Sequence, residues 1–105
     1  MGIMKESRFE KSDSPIVRRH IVFYGSVQGV GFRFRARHAA DLYGCTGWCR
    51  NERDGSVTME IQGRGDRIDA VITAIEAGRF IAVEHMDVRT VPPEDGEYGF
   101  RTEDA

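Results

Sequence analysis

The chain has 105 residues, of which 40% are apolar and 30% charged, and a formal net charge of −2. That length fits one domain with one modest core. The slight acidity argues against a dedicated nucleic-acid binder, which is usually basic overall, and no apolar run approaches the roughly 18 residues of a membrane span.

The chain opens MGIMKESRFEKSDSP, where Lys5, Arg8 and Lys11 are balanced by Glu6, Glu10 and Asp13. This stretch lacks the apolar block of a secretory signal, and Glu6 stands where a myristoylation signal wants Ser or Thr. Residues 1–15 are expected to be a mobile polar tail, with residues 16–105 forming a single domain.

Residues 16–24 are rich in β-branched and aromatic side chains and stop at Gly25, which predicts a first strand with Ile21 and Phe23 on one face. Residues 32, 36, 39, 40 and 43 are apolar at helical spacing, and Gly44 follows as a C-terminal cap. Residues 46–51 read as a second strand, and Asp54-Gly55 as a hairpin turn. Val57, Met59 and Ile61 then alternate with Thr58, Glu60 and Gln62, so the third strand has one buried face. Asp66 is the expected N-cap of a second helix carrying Ile68, Val71, Ile72 and Ile75 and ended by Gly78. Residues 81–91 form a fourth strand in which Val83 is out of phase with Met86 and Val88, which points to a bulge. Pro92-Pro93 breaks it, and residues 98–102 can supply a short fifth strand. The order βαββαβ is the split βαβ arrangement of α+β, ferredoxin-like folds: two helices on one face of an antiparallel sheet. Such a fold settles no function by itself.

Cys45 and Cys49 on a strand would lie roughly 13 Å apart, beyond disulfide reach. Two unpaired thiols fit a reducing cytoplasm. His20, His38 and His85 are scattered and do not combine with CxxxC into a zinc site, so no metal or other cofactor is expected.

The segment GSVQGVGFRFRARH holds three glycines in seven residues and then four basic side chains in six. It joins the first strand to the first helix. Glycine there lets successive N–H groups converge as an anion nest, and the helix start offers further unpaired N–H groups. Arg33 in the first turn is misplaced by about 0.3–1 kcal/mol against the helix dipole, a conflict that a bound phosphate gripped by the guanidinium would remove. Taken alone, however, GxG reads first as an ordinary turn with a solvated arginine. Phe34 stands where GxGxxG requires a third glycine, and no GK[ST] is present. Arg35 and Arg37 read as helix-surface charges and His38 as structural.

Two motifs carry a resemblance. Residues 25–33 run GSVQGVGFR, and residues 47–57 run GWCRNERDGSV. Together they closely resemble the acylphosphatase family, whose first motif is G-x-V-Q-G-V-x-F-R and whose second is G-W-V-x-N-x-x-D-G-x-V. The only departure at a fixed position is Cys49 for valine; Thr102 also replaces an apolar residue common near the family's C-terminal end. The likeness covers about residues 18–102. It implies a ferredoxin-like domain that hydrolyses the carboxyl-phosphate bond of acyl phosphates without metal or cofactor. It assigns phosphate binding to Val27, Gln28, Gly29, Val30, Gly31 and Arg33, and water positioning to Asn51.

The chemistry needs few groups. A carboxylate leaving group, with a conjugate acid pKa of about 4, departs without a general acid. Phosphoryl transfer then rests mainly on positioning and electrostatics. Asn51 can orient water through its amide, although an asparagine before a hairpin also suits backbone needs alone; beside Arg33 the catalytic role is favoured. Trp48 and Phe32 read as packing residues, Cys49 as core, and Glu52, Arg53 and Asp54 as a solvated turn. The expected partner is a small acyl phosphate, with phosphate as product or inhibitor, and the expected state is a cytoplasmic monomer that binds neither membrane nor nucleic acid. A non-catalytic anion-binding module is the second reading. RNA binding through the sheet is a distant third, because residues 57–63 lack an aromatic RNP1-like pattern.

Overall fold

The computed structural model describes residues 15–103. The expected mobile tail falls almost entirely on residues 1–14, outside the described residues. The elements in chain order are β1 (Ile16–Ser26), α1 (Phe32–Tyr43), β2 (Thr46–Asn51), β3 (Val57–Arg64), α2 (Gly65–Glu76), β4 (Ala82–Val91) and β5 (Phe100–Glu103). The sheet order is β4-β1-β3-β2-β5.

Strand alternation decides which face is buried. Ile21 and Phe23 on β1 oppose Met59 and Val57 on β3, and all four are inaccessible to water. The helices cover this face with Phe32, Ala36, Ala39 and Ala40 from α1 and Ile68, Val71 and Ile75 from α2. Alanines at the α1 contact let its backbone approach the sheet closely, since only a methyl group separates them. Phe32, the first residue of α1, packs edge-on against Phe23 with ring centroids 4.8 Å apart. The entry of the helix is thereby pinned to the end of β1.

Helix ends follow local chemistry. At the C-terminus of α1, Gly44 has φ 72°. The Cys45 N–H donates to the Ala40 carbonyl at 2.8 Å and the Gly44 N–H to that of Asp41 at 3.4 Å, the paired bonds of a Schellman cap. The second helix starts earlier than expected: Arg64 is its N-cap and Asp66 lies inside the first turn. β3 runs directly into the helix, leaving no residue between them for Asp66 to cap; its carboxylate instead favours the helix dipole.

The phase break in β4 is a bulge. Tyr24 pairs with His85 and Gly25 with Val83, so Glu84 is the extra residue. The insertion puts Val83 and Met86 on the same face, and both pack partly buried against the core. β5 pairs parallel with β2, so the sheet is mixed and not wholly antiparallel. β4 and β5 occupy opposite edges, and their connection runs over the face that the helices leave open. Glu97 in this crossing meets Arg18 of β1, which is completely buried. The Arg18 fork donates to both Glu97 carboxylate oxygens at 2.8 and 3.2 Å, its Nε to Glu60 at 2.8 Å and its Nη1 to Gln62 at 3.1 Å.

Candidate active site

The loop between β1 and α1 carries Gly29 at φ 71° and Gly31 at φ 83°. Left-handed backbone at both positions favours glycine and turns neighbouring N–H groups into a concave nest. A Cβ at either glycine would meet nothing within 4 Å, so the space over the loop is open. Gly31 is the N-cap of α1, with no side-chain cap and no acidic residue in the first turn. The helix ladder opens with the Arg35 N–H donating to the Gly31 carbonyl at 3.0 Å. The N–H groups of Phe32, Arg33 and Phe34 precede that bond and have no acceptor inside the helix.

A cavity of about 210 Å³ lies here, lined by Val27, Gly29, Gly31, Phe32, Arg33, Phe34 and Asn51. Five of the seven residues singled out from the sequence (Val27, Gly29, Gly31, Arg33 and Asn51) therefore share one cavity. Val30 lies outside it, on an adjoining groove. Gln28 also lies outside it, and its side-chain amide donates to the carbonyls of Glu52 at 2.7 Å and Ser56 at 2.8 Å. That bond pair ties the glycine loop to the turn that follows Asn51.

The turn itself is a tight hairpin. The Gly55 N–H reaches the Glu52 carbonyl at 3.2 Å and the Glu52 N–H the Ser56 carbonyl at 2.9 Å. The Asp54 carboxylate accepts from the Ser56 hydroxyl at 2.6 Å and backbone N–H at 2.9 Å. Asn51 ends β2 opposite Val57, on the same face as the buried Cys49. Arg33 donates from Nη1 to the backbone carbonyl of Glu103 at 3.2 Å, a contact that sequence reading missed because it spans 70 positions. Cys49 is sealed from water, and burial pushes its thiol up to about 12 against the opposing pull of Arg33. The thiol therefore stays protonated and takes no part as a nucleophile. Cys45 is buried too, and both cysteines are free.

A larger cavity of about 690 Å³ lies on the open face of the sheet, lined in part by Tyr24, Arg50, Glu52 and Asp54. Both carboxyls titrate below their ordinary values. Hydrogen bonding from Thr58 is the main cause for Glu52, and from Ser56 for Asp54. Arg50 and Arg53 balance these two carboxylates in the lining, and neither the glycine loop nor the start of α1 contributes to it. Among the described residues, no group of three or more His, Cys, Asp or Glu is arranged to hold a metal ion, and no helix is long and apolar enough to cross a membrane.

Residues 19–102 match the family model described as Acylphosphatase. The chain is 42% identical over 83 residues to an acylphosphatase of Bifidobacterium longum, covering 78% of this chain and 86% of that protein. It is 41% identical over 86 residues to one of Thermococcus kodakarensis, covering 81% and 93%. The crystal structure of acylphosphatase from Bacillus subtilis superposes with a TM-score of 0.76 at 28% identity, covering 83% of this chain and 98% of that one.

Proposed function

The chain belongs to the acylphosphatase family and hydrolyses acyl phosphates, and on that footing we propose that the residues 27–31 loop and Arg33 hold the phosphoryl group while Asn51 orients the attacking water. The observation that carries this reading is the single cavity shared by Gly29, Gly31, Arg33 and Asn51. A glycine nest and a helix start offer N–H donors to one side of a phosphoryl group. A guanidinium offers a planar fork to another.

The transition state is loose, with charge spread over the equatorial oxygens. Donors already fixed around that charge lower the barrier without reorganising. Water forms the new O–P bond as the bond from phosphorus to the acyl oxygen breaks, and the electron pair leaves with the carboxylate. A proton of the water passes to a phosphate oxygen, so no side chain need act as base. Asn51 accepts from and donates to water through its amide, which fixes its approach. Gln28 supports the site through its bonds to Glu52 and Ser56, which hold the Asn51 hairpin against the phosphate loop. The buried, unpaired thiols favour a cytoplasmic enzyme, and we take residues 16–105 as one monomeric domain.

Phosphate release from benzoyl phosphate tests the assignment of Asn51. Asn51→Ala is expected to lower kcat about 10²–10³-fold, the range for losing one positioned polar group, with KM nearly unchanged and an unaltered circular dichroism spectrum. A folded Asn51→Ala variant with wild-type kcat would remove Asn51 from the reaction.

A further inference from the structure

A groove of about 400 Å³ runs beside the phosphate cavity, between α1 and the α2–β4 connection. The two share Gly31 and Phe34. The groove continues over Val30, Ala39, Leu42 and Phe80, and neither Arg33 nor Asn51 lines it. Its apolar walls are open to water: Phe34 is 76%, Leu42 69% and Phe80 68% exposed. Covering such surface is favourable, and a ligand anchored at Gly31 already reaches its mouth.

We propose that this groove receives the acyl group of the substrate, so that the enzyme favours acyl phosphates with an apolar, ring-sized acyl group over acetyl phosphate. The inference rests on the phosphoryl group occupying the Gly29–Gly31 nest. In phosphoryl transfer the attacking and leaving oxygens lie roughly in line across phosphorus. With water held at Asn51, the acyl group points away from Asn51, and the groove is the adjoining cavity that Asn51 does not line. Phe34 and His38, which both line the groove, stack with planes 12° apart and centroids 6.3 Å apart, so the groove already holds aromatic surface. Arg35, His38 and Arg79 also line the groove, with no carboxylate among the lining residues. The groove therefore does not repel an anionic substrate on its approach.

The test is the ratio of kcat/KM for benzoyl phosphate to that for acetyl phosphate, measured for wild type, Phe80→Ser, Leu42→Ser and the double variant. Dividing each variant's ratio by that of wild type cancels the different intrinsic reactivity of the two substrates. The replaced side chains are exposed, so the fold is retained. Each single change is expected to lower the ratio about fivefold and the pair tenfold or more, within the range for altered apolar contacts. An unchanged ratio in the double variant, with both substrates still hydrolysed, would send the acyl group elsewhere and overturn the inference alone. Absence of hydrolysis of either substrate by wild type would overturn the reading of the site as well. Amide shifts give a readout without turnover. Methylphosphonate and phenylphosphonate should both move Gly29 and Gly31, and phenylphosphonate alone should move Leu42 and Phe80. Identical shifts from both probes would overturn the proposal. So would self-association that Phe80→Ser abolishes while the ratio stays unchanged, which would give the groove to a second copy.

Discussion

Arg18 and Arg33 are the same side chain in two contrasting settings. Arg18 is sealed beneath the β4–β5 crossing, and its fork is filled by Glu97, Glu60 and Gln62. Hydrogen bonding to Glu97 is the main cause holding its pKa above the ordinary value. Arg33 is half-buried, is steadied by a backbone carbonyl, and lines an open cavity beside a glycine nest. A guanidinium saturated by carboxylates has nothing left for a phosphate. Arg33 differs in lining an open cavity, with a backbone carbonyl among its partners. The setting, more than the residue type, separates the buried structural cation from the one we propose to hold the phosphoryl group.

The sharpest way to break this contrast is to remove each arginine and compare what is lost. Arg33→Ala should lower kcat/KM about 10³–10⁵-fold, the range for arginines that stabilise a transferring phosphoryl group, while the melting temperature stays close to wild type. Arg18→Met should do the reverse. It removes the main partner of the Glu97 carboxylate, which keeps Arg101 at 3.6 Å, and breaking a buried pair costs up to about 3–5 kcal/mol, measured by urea unfolding. The folded fraction should keep wild-type kcat. If Arg18→Met also loses kcat at full folding, the two regions are not separable.

Gln28→Ala sharpens the boundary between the two settings, because Gln28 belongs to the proposed phosphate loop yet bonds the hairpin. Loosening the site geometry by a fraction of an ångström to one ångström should lower kcat by up to about 10²-fold, with a smaller change in KM. A pure rise in KM would instead make its side chain a phosphate ligand.

Acid gives the smallest effect, read here on stability. Burial pushes the Glu97 and Glu60 carboxyls up. Hydrogen bonds from Arg18 and Thr46 to Glu97, and from His20 and Arg18 to Glu60, outweigh it and hold both below their ordinary value of 4.5. As pH falls below that value the unfolded chain takes up these protons first. The stabilisation is therefore complete above about pH 4.5 and is lost as pH drops through the lower folded-state values. Urea titrations between pH 6 and 3 should show this decline, with a shallower slope for Arg18→Met.

Much of the architecture could be read from local patterns. The alternation of Val57, Met59 and Ile61 fixed the buried face of β3, and the phase slip at Val83 marked a real bulge. Asp66 misled because an aspartate before an apolar helical stripe reads as a cap when the strand ahead of it is assumed to end sooner. The parallel pairing of β5 was not legible, since nothing local says to which edge a strand returns. Nor was the burial of Arg18, whose cover arrives from residues nearly eighty positions away. At the site, the glycines alone favoured an ordinary turn. It was the pair of motifs, GSVQGVGFR and GWCRNERDGSV, that singled out Arg33 and Asn51. The hydrogen bonds of Gln28 lie beyond any local rule, because its acceptors are backbone carbonyls exposed only once the hairpin has closed.

The tie between Arg33 and the Glu103 carbonyl has a consequence for the order of assembly. On a growing polypeptide the nest, Arg33 and Asn51 all emerge long before residue 103, and β2 can pair with β3 while its other edge is bare. Only when β5 settles on that edge does the guanidinium gain its backbone partner. A short edge strand is also among the first elements to fray. With Arg33 in the role proposed above, catalytic competence would be a late event in synthesis and an early casualty of local opening, and the reaction rate would report on the docking of four residues at the rim of the sheet.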